Sequence, residues 1–112
     1  MSDKNSQDAG LGNLKYLKKI LSPEYCVGIK VYEIKEKRKE LAYYSKIVDE
    51  LTGSVSKVTV KRAIDNLLDV GIIKADWAIE PSSNKWVRPF SIAGEATNMF
   101  ASLYDYAKSK QY

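Results

Sequence analysis

Lys57, Lys61 and Arg62 lie within one six-residue stretch, with Thr59 among them and Asn66 one helical turn further on. These side chains donate to phosphate oxygens or hydrogen-bond base edges. If 56–70 is a helix at about 100° per residue, Val60, Ala63, Ile64, Leu67 and Leu68 form one apolar stripe. Val58, Arg62, Asp65 and Asp69 then fall opposite it, with Thr59 and Asn66 on one shoulder and Lys61 on the other. The first two turns hold no acid. Exposed N–H groups and the helix dipole already favour an anion at that end, so the layout suits a helix whose leading end meets a polyanion. Thr59, Arg62 and Asn66 are the types that read base edges. Lys57 and Lys61 suit phosphates, and Ser56 (or Ser54) caps the helix.

A second basic cluster follows. Ser83, Asn84, Lys85 and Arg88 sit in a stretch with no acid from 81 to 94. Other chemistries find few residues to use. Histidine is absent and Cys26 is the one cysteine, so a histidine-based zinc site, a Ser-His-Asp triad and a Cys-His pair are unavailable. No pair of acids lies in an apolar segment that would tune its pKa. The expectation is a protein that is not an enzyme and needs no metal or cofactor. Cys26 reads as a small buried apolar residue, with an intersubunit disulfide as the alternative.

The elements that must position these residues follow from periodicity. Leu14, Leu17 and Leu21 space a helix over 13–21. Ser22-Pro23 suits the cap and first position of a second helix, which runs into the charge cluster KEKRKE at 35–40, read as a solvated helix end. LAYY at 41–44 predicts a short strand, and Ser45 then caps a helix that stops at Gly53. Gly71 supplies the left-handed turn that ends the basic helix. Residues 74–93 alternate as two strands around Pro81-Ser82-Ser83-Asn84, with Pro89 requiring an edge or a bulge. One face of this hairpin carries Ala75, Trp77 and Ile79, and the other strand contributes Trp86, Arg88, Phe90 and Ile92. Trp77 and Trp86 are expected to anchor the hairpin on the body rather than to stack on bases. A last helix places Ala96, Met99, Phe100, Leu103 and Tyr104 or Tyr106 on one side.

At 112 residues the chain is one domain with a modest core. Hydrophobic residues make up 45% and charged residues 29%, ordinary for a globular protein, and a net charge of +4 permits an anionic partner without requiring one. No stretch reaches the roughly 20 apolar residues of a membrane span, and 1–12 reads as a polar, flexible tail without a secretory core. A cytoplasmic protein that does not enter a membrane is expected. The domain boundaries are then 13–93 for the main unit and 94–112 for a C-terminal helix. The apolar stripes of 13–21 and 94–112 suggest pairing in a homodimer.

Helix, short strand, helix, tight turn, helix and hairpin is the order of a winged helix-turn-helix. The fold class expected is therefore α+β, mostly α, with a two-stranded wing at 74–93, a helix-turn-helix at 45–71 and extra N- and C-terminal helices. The stretch YSKIVDELTGSVSKVTVKRAIDNLLDVGII resembles the helix-turn-helix of small prokaryotic transcription regulators of the MarR and PadR kind. The likeness lies in a serine start at Ser56, the step Thr59-Val60-Lys61-Arg62, apolar Ile64 and Leu67 or Leu68, and the closing Gly71-Ile72-Ile73. The lysine-, glutamate- and isoleucine-rich composition also resembles small regulators of thermophilic archaea. This resemblance implies sequence-specific binding of double-stranded DNA by a homodimer. Helix 56–70 would enter the major groove, and the wing would lie on the backbone or in the minor groove. Two other functions fit the same residues: a winged-helix protein-interaction module, and a chromosomal protein with little sequence preference. No small-molecule effector pocket is legible.

Overall fold

A computed structural model of the chain describes residues 22–109. The expected tail 1–12 and helix 13–21 lie outside the described residues. What is described is α+β and mostly helical.

The central element is α1, Pro23–Tyr32. Proline at its first position follows extended Ser22, whose carbonyl accepts from the Tyr25 and Cys26 amides at 3.0 and 3.2 Å. Every residue from Cys26 to Val31 is buried, so α1 is a core helix covered on all sides rather than an amphipathic one. A π-helical turn, Glu33–Lys37, prolongs it and buries Ile34. The charge cluster beyond is more than a solvated end. Arg38 reaches both carboxylate oxygens of Glu50 at 2.7 Å and Glu40 at 2.8 Å, while Lys46 pairs with Glu40 at 3.1 Å. Buried Lys30 pairs with Glu33 at 2.7 Å. This network ties the end of α1 to the next helix.

Residues 41–43 make no strand ladder, contrary to expectation. The amide of Phe90 donates one hydrogen bond to the Ala42 carbonyl at 2.8 Å, and the chain then turns into a helix. That helix, α2 (Tyr44–Leu51), begins two residues early, with Tyr43 rather than Ser45 at the cap position. Buried Ile47 and Leu51 hold it to the core, and Gly53 at φ 93° ends it. The tight turn to the next helix is closed by Ser54 and Val55 amides on the Leu51 carbonyl, both at 3.0 Å.

Helix α3, Lys57–Asp69, buries Val60, Ala63, Ile64 and Leu67, the stripe its periodicity predicts. Its end is a Schellman turn: the Gly71 amide donates to Leu68 (3.1 Å) and the Ile72 amide to Leu67 (3.0 Å), with Gly71 at φ 79°. A hairpin follows. Its base pairs β1 (Ile73–Ala75) with β4 (Phe90–Ile92), and its outer half pairs β2 (Ala78–Glu80) with β3 (Lys85–Val87). Both ladders are antiparallel and keep one register, so they are a single hairpin interrupted around buried Pro89, which has no N–H to donate. Across the interruption the Asp76 amide donates to the Pro89 carbonyl at 3.0 Å.

A 3-10 turn, Gly94–Ala96, leads into α4, Thr97–Ser109. Phe100 and Ala107 are its buried residues, with Leu103 and Tyr104 half-buried against the core. Met99 and Tyr106 of the expected stripe stay exposed. Helix α4 packs along α1 of its own chain, where the Phe100 ring lies directly over Gly28. Fully buried Cys26 sits in this core, so the alternative of an intersubunit disulfide would require opening it. None of the helices among the described residues is long and apolar enough to cross a membrane.

Candidate nucleic-acid interface

Ser56 starts the site. Its Oγ accepts from the Thr59 amide at 3.2 Å and donates to the Thr59 hydroxyl at 2.8 Å, so these two side chains serve the helix start. With the buried stripe turned inward, α3 leaves Lys57, Val58, Lys61, Arg62, Asp65, Asn66 and Asp69 exposed. Val58, 66% exposed, is the outermost apolar residue of the leading end.

The two shoulders of α3 have different partners. Toward the hairpin, Lys61 Nζ lies 3.1 Å from Asp65 Oδ2, an exposed i,i+4 pair. These two residues, with Tyr43, Tyr44, Val87 and Arg88, border an open cleft of about 430 Å³ floored by Ile64, Leu68 and Phe90. Toward α1, Asn66 Nδ2 donates to Glu24 Oε2 at 2.8 Å. That bond, more than the nearby positive charge of Arg62, holds the Glu24 carboxyl below the usual range. Asn66, expected to read bases, therefore has an intramolecular partner forty-two residues away. Among the described residues, neither Lys57 nor Arg62 is engaged in an ion pair.

The hairpin tip is a four-residue loop, with Asn84 at φ 58° and its amide on the Glu80 carbonyl at 2.7 Å. Glu80 just precedes the acid-free stretch and organises it. Its carboxylate accepts from the Ser82 hydroxyl at 2.7 Å and from the Ser83 amide and hydroxyl, both at 2.8 Å. Those bonds, the Ser82 hydroxyl first, pull its pKa down to about 2. Lys85 stands opposite Glu80 in the ladder. Arg88 lies with its guanidinium over the Trp77 ring, 5.7 Å from the centroid.

The expectation that Trp77 and Trp86 anchor the hairpin is wrong. They are 64% and 65% exposed, and Ile79, directly across from Trp86, is 47% exposed. The body covers the base of the hairpin, where Ile73, Phe90 and Ile92 are buried, and the outer half projects past it. Alternation in the sequence assigns these residues to one face; it says nothing about how far the body extends beneath that face.

The described residues contain no group of three or more potential metal ligands among Cys, Asp and Glu. Comparison of the chain with protein-family models, with curated proteins and with solved structures finds no match in any of the three.

Proposed function

We propose that the chain is a sequence-specific double-stranded DNA-binding protein and a transcription regulator, acting by occupancy rather than catalysis. One observation carries this reading: a helix that buries its apolar side presents Lys57, Lys61 and Arg62 at its N-terminal half, beside a hairpin bearing Lys85 and Arg88. The order α2, tight turn, α3, hairpin is that of a winged helix-turn-helix. A major groove about 12 Å wide admits α3 leading end first. Arg62 reaches base edges, Lys57 and Lys61 take phosphates, and the hairpin acts as the wing on the neighbouring backbone or minor groove. A homodimer would present two such helices to half-sites about one helical turn apart.

The test is duplex binding across a salt series, with wild type beside a Lys61→Ala/Arg62→Ala variant of checked folding. Phosphate contacts by Lys57, Lys61, Lys85 and Arg88 give a log-log salt slope of about −3.6 per subunit, at about 0.9 for each phosphate. The double variant should lose about one unit of that slope together with most of its sequence preference. Weak, salt-insensitive binding unchanged by the variant would overturn the reading. It would favour a protein-interaction module, the alternative to which the exposed Trp77, Ile79 and Trp86 lend weight.

A further inference from the structure

The outer half of the hairpin holds an exposed aromatic face that the duplex-binding reading leaves unused. We propose that this face is a stacking platform for unpaired nucleotide bases, a second nucleic-acid contact beside α3. Three observations support it. Trp77 and Trp86 expose nearly two-thirds of their surface, an unusual state for two indoles on one short hairpin. In the register that runs through both ladders they are diagonal neighbours, with Ile79 across from Trp86 and Trp77 beside Arg88. Diagonal side chains of this kind lie about 7–8 Å apart, so the two rings can take neighbouring bases of an unstacked strand.

The second observation is charge. Arg88 lies over Trp77, and glutamate and lysine of the outer half, Glu80 and Lys85, pair in the ladder on the opposite face. The Glu80 carboxylate is turned to Ser82 and Ser83 of the tip. A cation beside exposed rings is the combination that binds single-stranded nucleic acid, with the cation on the backbone and the rings on the bases. The third is continuity. Arg88 also borders the cleft that Lys61 and Asp65 border on α3, so one open cleft, with a cation on each side, joins the helix to the indoles. A strand leaving a duplex held by α3 would pass Arg88 and reach the rings. The proposal deepens the nucleic-acid reading and shares Arg88 with it, while its two indoles are residues that duplex recognition does not need.

The experiment titrates the full chain with an oligothymidylate of about 12 nucleotides, within the span one such module covers. Tryptophan fluorescence and the anisotropy of labelled oligonucleotide are read together. Wild type should be quenched on binding. Trp77→Ala and Trp86→Ala should each weaken the oligothymidylate complex about 5- to 150-fold, and Trp86→Phe should retain most of the affinity. Both indoles are exposed, so circular dichroism should find the fold intact. Absent quenching, or Ala variants that bind oligothymidylate like wild type, would overturn the platform. So would tryptophan-dependent self-association without oligothymidylate binding, which would assign the face to a second copy. Duplex binding with no oligothymidylate quenching defeats this proposal alone. Quenching that depends on the tryptophans, with no salt-dependent duplex binding, defeats the duplex reading and leaves the platform standing.

Discussion

Gly28→Ala tests the packing of α4 on α1 more sharply than any other single change. A Cβ built on Gly28 falls inside 3.0 Å of Phe100 Cε1 and Cζ, closer than real carbon contacts come. Phe100 is fully buried and its ring leans on Tyr25, with centroids 6.3 Å apart; a cleft of about 270 Å³ borders it beside Tyr25 and Leu67, so making room for the methyl means shifting the ring out of its core position. Overpacking of this severity belongs at the upper end of its usual cost, about 3 kcal/mol. Alanine in a helix interior returns about 1 kcal/mol relative to glycine. The net expectation is a loss of about 2 kcal/mol, which lowers Tm by about 8–16 °C in a domain near this size. Urea melts followed by far-ultraviolet circular dichroism would measure it, beside Phe100→Leu and the double variant. Trimming the ring makes room for the new methyl, so the double variant should lose less than the sum of the two single losses. A Gly28→Ala protein as stable as wild type, with additive losses in the double variant, would refute the close approach of the ring to α1.

Two further outcomes follow from local electrostatics. Glu80 has a folded pKa of about 2 against an ordinary 4.5, so its contribution to an ordered hairpin tip is complete above about pH 4.5 and is lost as pH falls through 2. Its carboxyl chemical shift should therefore titrate near pH 2, and a midpoint near 4.5 would deny the Ser82 and Ser83 bonds. Asp65→Asn removes the partner that Lys61 must leave, so duplex affinity should rise with the salt slope nearly unchanged, and adding Lys61→Ala should then take about 0.9 off the slope; no loss of slope on adding it would mean that Lys61 touches no phosphate.

Local rules carried the sequence reading a long way. Spacings of three and four through Val60, Ala63, Ile64 and Leu67 specify the buried side of α3, because a helix has one period and the core lies on one side of it. Ser56 and Gly71 mark its ends because an N-cap oxygen and a left-handed residue are local requirements. The misreadings come from tertiary context. Residues 41–43 have strand-like side chains, but a single bond from Phe90 to Ala42 is all the pairing the neighbouring hairpin offers. Ser45 has a capping side chain, yet the helix starts where Tyr43 and Tyr44 pack. The indoles of Trp77 and Trp86 carry so much apolar area that burial was the natural expectation; the Pro89 interruption marks where the body stops supporting the strands.

The site itself was legible in residue type and illegible in pairing. Asn66 and Glu24 are far apart in sequence, and only the crossing of α1 and α3 brings them to 2.8 Å. That contact changes what the outward face of α3 offers a ligand. Asn66 faces α1 and must exchange a bond to a carboxylate for a bond to a base, which gains little when one hydrogen bond replaces another. Lys61 must likewise leave Asp65, although an exposed pair of this kind contributes under about 1 kcal/mol and yields readily to a phosphate. Among the described residues Lys57 and Arg62 have no ion pair to leave, Arg62 standing only near the Glu24 carboxylate, and both stand in the half of the helix where the dipole and the exposed amides favour an anion. Discrimination among sequences should therefore rest on Arg62 far more than on Asn66. An Asn66→Ala protein that lost as much preference as Arg62→Ala would mean that the Glu24 contact opens freely in the complex.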